Sequence, residues 1–363
     1  MSVVENIFLL LGAIAVFSCG LKKISAEVGS LCGARLSEAV GGATKSAAGA
    51  VFTGMVFTAV MQSSIATNMI AITFVEKGVL SFYSCAAVIM GTNVGTTFTA
   101  QLVSLSSAFD FNMTAIGCFV AFLGFLLTFS ARETPKRLGG AMLGFGFIFI
   151  GMKLMAEAVG SFKGYKWFEN FFTVKSPTAV FLNGLVLTAL LQSSSVVTSV
   201  MIVLSSLGMV GLNNALFFIL GSNIGTCIPV MIASSKMSAP AKKAAFFNFA
   251  FNVFGALVFF VPLALLGENV KKLGIFSFDA GRNIANFHTF FNLLLCVLLL
   301  PVLKPFCALT ERLFDFFYGD NPRAFRRKKA GGKARGRFFG RGGIFSLSKR
   351  TKNSVMKSKT IDF

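Results

Sequence analysis

The chain has 363 residues, of which 55% are hydrophobic and only 13% charged, with 44 Phe, one Trp and a formal net charge of +20. That leaves too little polar surface for a soluble globule of this size, so the composition describes a polytopic membrane protein. A single His, no clustered carboxylates, no phosphate-cradling Walker loop and no GxSxG elbow leave catalysis nowhere obvious to reside, and no enzyme activity is expected.

In chain order, the first apolar run covers residues 6–21. No basic residue precedes it, Glu5 does, and Lys22 and Lys23 follow it, so it reads as a membrane segment rather than a signal peptide. Residues 22–46 are Gly-rich and weakly apolar, and are expected along the membrane surface. Further runs follow at 47–75, 82–105, 113–131, 138–160, 178–206, 213–235, 244–266 and 283–306. Most reach the ~20 residues that span a bilayer as helix. Their polar residues do not alternate with apolar ones, as a lipid-facing barrel strand requires, so the fold class is all-α. Gly140 and Gly144 form a GxxxG packing face, while Lys153, Glu157 and His288 are expected to pair or snorkel. The seven Cys form no CxxC pair and read as small buried hydrophobes. Residues 320–363 hold 14 of the 34 Lys and Arg, a basic, Gly-rich tail expected to be disordered.

The chain repeats itself. Gln62-Ser63-Ser64 returns 130 residues later as Gln192-Ser193-Ser194, and 14 of the 43 positions from Gly54 to Thr96 are identical in that register. Gly91-Thr-Asn93-Val-Gly-Thr96 is matched by Gly221-Ser-Asn223-Ile-Gly-Thr226, and Gly20 to Gly29 is similar to Gly151 to Gly160. The expected organisation is transmembrane repeat one at 1–132, repeat two at 133–312 and the tail at 313–363. By the positive-inside rule the tail and the loops holding Arg132, Lys136, Arg137, Lys236, Lys242 and Lys243 are cytoplasmic, which makes this a multi-pass protein of the cell (inner) membrane. The loop 106–114, equivalent to the one holding Lys236 to Lys243, carries only Asp110. Equivalent loops on opposite sides predict inverted-topology repeats with broken or re-entrant helices.

The polar residues cluster at membrane depth: Gln62, Ser63, Ser64, Thr67 and Asn68 in one repeat, Gln192, Ser193, Ser194, Ser195, Thr198 and Ser199 in the other. Consecutive Gln-Ser-Ser cannot share one helix face, so a continuous helix would direct a polar group unfavourably. Two half-helices meeting there direct backbone N–H groups and hydroxyls into a shared cavity at the positive end of the helix dipoles, which suits an anion. Gln and Asn carbonyls and hydroxyls suit a small alkali cation beside it. The Gly-flanked second motif predicts another unwinding point, with Asn93, Thr96, Asn223 and Thr226 capping it or lining the cavity. Small and hydroxylated residues also serve as packing glue between membrane helices, but duplication at matched positions favours function.

With these residues the chain resembles the type II sodium/phosphate cotransporter family. The resemblance rests on Gln192-Ser-Ser-Ser-Val-Val-Thr-Ser199 followed by Leu220-Gly-Ser-Asn-Ile-Gly-Thr226, with a weaker copy upstream, and covers roughly residues 5–306. It implies sodium-coupled import of inorganic phosphate by alternating access, with both Gln-Ser-Ser segments holding phosphate and sodium. Sodium is then expected at Gln62, Ser64, Gln192, Ser194 and Thr198, as coupling ion and with no other cofactor. Repeat one departs from the family pattern with Ile65 in place of a third Ser and Asn68 in place of a Thr. Moving phosphate into a negative cell costs about 2.3 kcal/mol per charge per 100 mV, which co-moving cations offset. The rival readings are a transporter or channel for another small anion, and a tail that binds nucleic acid. For the tail, contact with anionic lipid is the expected role, and no nucleic-acid partner is expected.

Overall fold

The computed structural model describes residues 2–43, 46–108, 112–272 and 278–319, the side chains of residues 32–43, 106–108, 268 and 271 excepted. The basic segment 320–363, read as a tail, lies outside the described residues. Residues Met1–Phe314 form one compact unit. No strand occurs among the described residues, in agreement with the all-α reading.

The helices are α1 (Val3–Ala43), α2 (Ala47–Met61), α3 (Ser64–Glu76), α4 (Phe82–Ala108), α5 (Met113–Thr128), α6 (Glu133–Gly160) and α7 (Lys166–Thr173). They continue as α8 (Pro177–Leu191), α9 (Ser194–Ser206), α10 (Leu212–Gly225), α11 (Cys227–Ser234), α12 (Ala239–Leu266), α13 (Ala280–Leu299) and α14 (Leu303–Tyr318). Local signals set several starts: Ser46, Asn112, Ser176 and Asp279 each accept a hydrogen bond from the backbone N–H three residues on. Pro177 occupies the first turn of α8, where its missing N–H is not needed.

Val3–Leu31, Glu133–Gly160, Leu212–Ser234 and Ala239–Leu266 are long and apolar enough to cross a membrane, and two bent pairs raise the number from 4 to up to 6 among the described residues. The protein is a multi-pass membrane protein. Large apolar side chains such as Phe8, Phe52, Leu190 and Leu265 are exposed, as a lipid-facing surface requires. Two runs that looked long enough to span, 47–75 and 178–206, are each a pair of short helices. The stretch 22–43, expected along the membrane surface, instead continues α1 without a break.

Matched glycines bring α2 against α4 and α8 against α10. A Cβ on Gly91 would collide with the Val51 carbonyl, and one on its match Gly221 with the Phe181 carbonyl. Gly54 and Gly184 make the same approach to Val88 and Phe218. The glycines of the second motif are thus backbone contacts between helices. This corrects the expected unwinding: α4 is helical throughout 91–96, and in repeat two only Thr226 interrupts the helix, with αR geometry and its N–H still donating to the Ser222 carbonyl at 3.3 Å. Close packing keeps these backbone groups paired.

A cavity between two broken helices

The break predicted at Gln-Ser-Ser has the same form in both repeats. Gln62 ends α2 in the left-handed conformation, φ 50° and ψ 23°, and Gln192 ends α8 with φ 54° and ψ 28°. Each donates its backbone N–H four residues back, to Thr58 and Thr188. The next residue is extended and caps the following helix: Ser63 Oγ accepts from Ala66 N–H at 3.2 Å, Ser193 Oγ from Val196 N–H at 3.3 Å. The first helical carbonyl acceptors serve Thr67 and Val197, so the N–H groups of Ser64, Ile65, Ser194 and Ser195 project past the helix ends. Each break therefore carries partial positive charge without a charged side chain.

Both breaks face one cavity of about 1100 Å³. Its wall includes Gln62, Ser63 and Thr67 from repeat one and Gln192 and Ser193 from repeat two. From there it extends along α1, past Ser18, Lys22 and Ser25 to Ser30, and along α3 to Phe74 and to Leu80 in the turn that follows. Lys22 is the one charged residue in that lining among the described residues.

The remaining predicted residues stand behind this wall. Ser194, Ser195, Thr198 and Ser199 are buried in the first two turns of α9, and Ser199 Oγ donates to the Ser195 carbonyl at 2.7 Å. Thr198 Oγ1 is buried without a hydrogen-bond partner among the described residues. Ser64 is half-buried next to the break. Asn68 is buried and accepts from Thr92 Oγ1 at 2.7 Å. Asn93 donates to the Ile89 carbonyl, while the hydroxyls of Thr96 and Thr226 donate to the carbonyls of Thr92 and Asn223. Asn223 Oδ1 lies 3.3 Å from His288 Nε2. None of these four is in the cavity lining.

Sequence reading missed Thr99, whose hydroxyl donates to Gln62 Oε1 at 2.5 Å and accepts from Ser195 Oγ at 3.4 Å, linking the two repeats directly beside the breaks. It also missed Thr188, bonded to Ser222 Oγ at 2.7 Å, and the Ser18, Lys22 and Ser25 face of α1. Gly20-x-Lys22 was visible as an echo of Gly151-x-Lys153, and that was the only signal for α1.

A cavity with two helix N-termini, amide and hydroxyl oxygens and one ammonium can hold an oxyanion through N–H and O–H donors, and a small cation through neutral oxygens. A family model described as Na+/Pi-cotransporter matches residues 16–157 and 165–278, a range that contains both breaks and Lys22. A Bacillus subtilis (strain 168) protein, YqeW, is 34% identical over 261 residues, covering 71% of this chain and 82% of its own length. YjbB of Escherichia coli (strain K12), named for inorganic phosphate export, is 25% identical over 299 residues, covering 82% of this chain and 53% of its own; the chain thus spans about half the length of that relative. Sodium-dependent phosphate transport protein 2A of Ovis aries is 35% identical over 127 residues, 32% of this chain and 19% of that protein. No solved structure matches.

Proposed function

The chain belongs to the Na+/Pi-cotransporter family, and on that basis we propose that it is a sodium-coupled secondary transporter that imports inorganic phosphate by alternating access. The observation that carries this reading is the single cavity onto which both Gln-Ser breaks open. Phosphate would be held by the N–H groups at the starts of α3 and α9 with Ser63 and Ser193. Sodium would be held by the oxygens of Gln62, Ser64, Gln192, Ser194 and Thr198. Thr67 would add its hydroxyl from the cavity wall, and Asn68, Ser195, Ser199 and the Asn93, Thr96, Asn223 and Thr226 set would support these ligands from behind. Thr198 Oγ1, buried and unpartnered one turn into α9, is consistent with an oxygen reserved for a cation.

Inverted repeats, 1–132 and 133–312, are supported by how α1 meets α6. Gly20 abuts Ile148, and Gly151, the match of Gly20, abuts Phe17, which is the match of Ile148. Such a reciprocal contact is what a two-fold axis produces, and here it relates two helices that run antiparallel. The cavity extends along α1 to the level of Glu27 and along α3 toward its C-terminal end. There Glu27 lies 3.9 Å from Arg137 and Glu76 accepts from Ser238 N–H at 2.9 Å. Arg137, near the start of α6, and Ser238, between Lys236 and Lys242, belong to the basic segments read as cytoplasmic, which supports a conformation open inward. We place the protein in the cell (inner) membrane with the C-terminal segment cytoplasmic and on anionic lipid by the positive-inside rule.

The test is radiolabelled phosphate uptake into proteoliposomes under an inward sodium gradient against an equal potassium gradient, for wild type and Gln192→Gly. Sodium-dependent uptake lost in the variant is the expected result. Uptake indifferent to sodium removes the coupling, and sulfate or dicarboxylate uptake in place of phosphate changes the anion. A second direction is favoured by the name of YjbB, which is for export. Vesicles loaded with phosphate and given an outward sodium gradient test that arm, since a coupled carrier follows its gradients.

A further inference from the structure

Four consecutive contact positions on α1 and the same four on α6 line two different cavities. Ser18, Leu21, Lys22 and Ser25 face the large cavity. One repeat later, in the Gly20–Gly151 register, Phe149, Met152, Lys153 and Ala156 face a smaller one of about 160 Å³. The opposite wall of the first is α3 and that of the second is α9, the matched half-helix, through Ile202, Val203 and Ser206. The antiparallel pairings Gly20 with Ile148 and Gly151 with Phe17 set Lys22 level with Gly146. Lys153 therefore lies seven residues, about 10 Å, further along the α6 axis, away from the end of α6 where Glu27 meets Arg137.

The two lysines are in different electrostatic states. Lys153 Nζ is 3.6 Å from Glu157 Oε1. In α1 the position equivalent to Glu157 is Ala26, and among the described residues Lys22 forms no ion pair. An uncompensated ammonium in a concave wall raises the local concentration of anions. It also adds the full positive charge that the helix ends lack.

We propose that Lys22 is an anion-binding residue of the large cavity, taking phosphate within the same cavity onto which the Gln-Ser breaks open, and that Lys153 is its counterpart for the opposite face. On conversion to the other state the cavity beside α6 widens, Lys153 leaves Glu157 and meets the anion there, while the Lys22 face closes. The inference rests on the phosphate-transport reading for the identity of the anion, but not for the capture of negative charge by Lys22.

Two measurements separate these. In protein whose native Cys are replaced, Ser18→Cys places a thiol in the cavity one turn from Lys22. Its reaction with a sulfonate-bearing methanethiosulfonate is expected to be about tenfold faster, relative to a trimethylammonium-bearing one, than in the Ser18→Cys, Lys22→Gln double variant. An unchanged ratio overturns the proposal whatever the protein transports. In oriented vesicles, Lys22→Gln is expected to raise the phosphate KM at least fivefold for the face on which the large cavity opens, with kcat within twofold, and Lys22→Arg to restore it. Lys153→Gln is expected to do so from the other face. Wild type that moves no phosphate would sink the transport reading and leave the thiol result standing. Wild-type transport with KM unmoved by Lys22→Gln would sink the role of Lys22 alone.

Discussion

Gln62 and Gln192 are the only non-glycine residues with positive φ among the described residues, at 50° and 54°. A side chain in this region costs roughly 1–2 kcal/mol, and glycine would make the same turn without that cost. Each helix break thus keeps a strained amide where a glycine would suffice for the backbone. Gln62 Oε1 accepts from Thr99, and both residues are in the cavity wall, so each amide is expected to be kept for ligand binding rather than for the turn.

Gln192→Gly is accordingly expected to leave the melting temperature of the detergent-solubilised protein unchanged or raised. Phosphate uptake should fall about tenfold or more, the equivalent of one lost hydrogen bond to a charged group. A variant that loses both together would mean that the amide is structural.

Thr99→Val removes the hydroxyl joining Gln62 to Ser195 while keeping the side chain's shape. The expected cost in stability is about 1 kcal/mol, and the sodium dependence of uptake should shift to higher concentration because Gln62 loses its orientation. Unaltered sodium activation would show that this bridge between the repeats does not position a ligand.

The α2–α4 and α8–α10 contacts leave no room for a methyl group at Gly91 or Gly221. Gly91→Ala and Gly221→Ala should each destabilise by about 1–3 kcal/mol or more in chemical unfolding, as over-packed sites do. Nothing lies within 4 Å of a Cβ at Gly12, so Gly12→Ala serves as the control and should be neutral or slightly stabilising.

At the exposed end of α3, Glu76 accepts from both the hydroxyl and the N–H of Ser238, the N-cap of α12. The side-chain hydrogen bond and then the backbone one hold its carboxyl below the ordinary value of 4.5. A carboxyl whose pKa is depressed on folding contributes stability above its unfolded pKa and loses it as pH falls through the folded one. The stability difference between wild type and Ser238→Ala should therefore be constant near neutral pH and shrink only below about 4.5. A difference that grows on acidification would contradict this contact.

Deleting residues 320–363 is expected to leave phosphate uptake per inserted molecule within about twofold, since the cavity and both breaks lie in the unit Met1–Phe314 and a basic segment on anionic lipid acts through the surface potential. Loss of uptake from correctly inserted, truncated protein would assign the segment a direct part in transport.

The membrane class, the two copies and the position of both breaks were legible in the sequence because each follows from local chemistry. Long apolar runs need lipid, a Gln-Ser-Ser inside one cannot stay on a single helix face, and a serine after the break caps the next helix wherever it packs. Asn93 and Asn223 show the limit of that reading. Their flanking glycines suggested unwinding, but Gly91 and Gly221 are instead where one helix backbone rests on another, a contact made with residues forty positions earlier. Which hydroxyls meet the cavity was equally a tertiary matter. Ser63 and Ser193 line it, while Ser195 turns to Thr99, because the packing of α3, α4 and α9 decides the side to which each helix start is open. Lys22 reaches the same cavity only because α1 lies against α6 through Gly20 and Gly144, and a close helix approach depends on both partners at once.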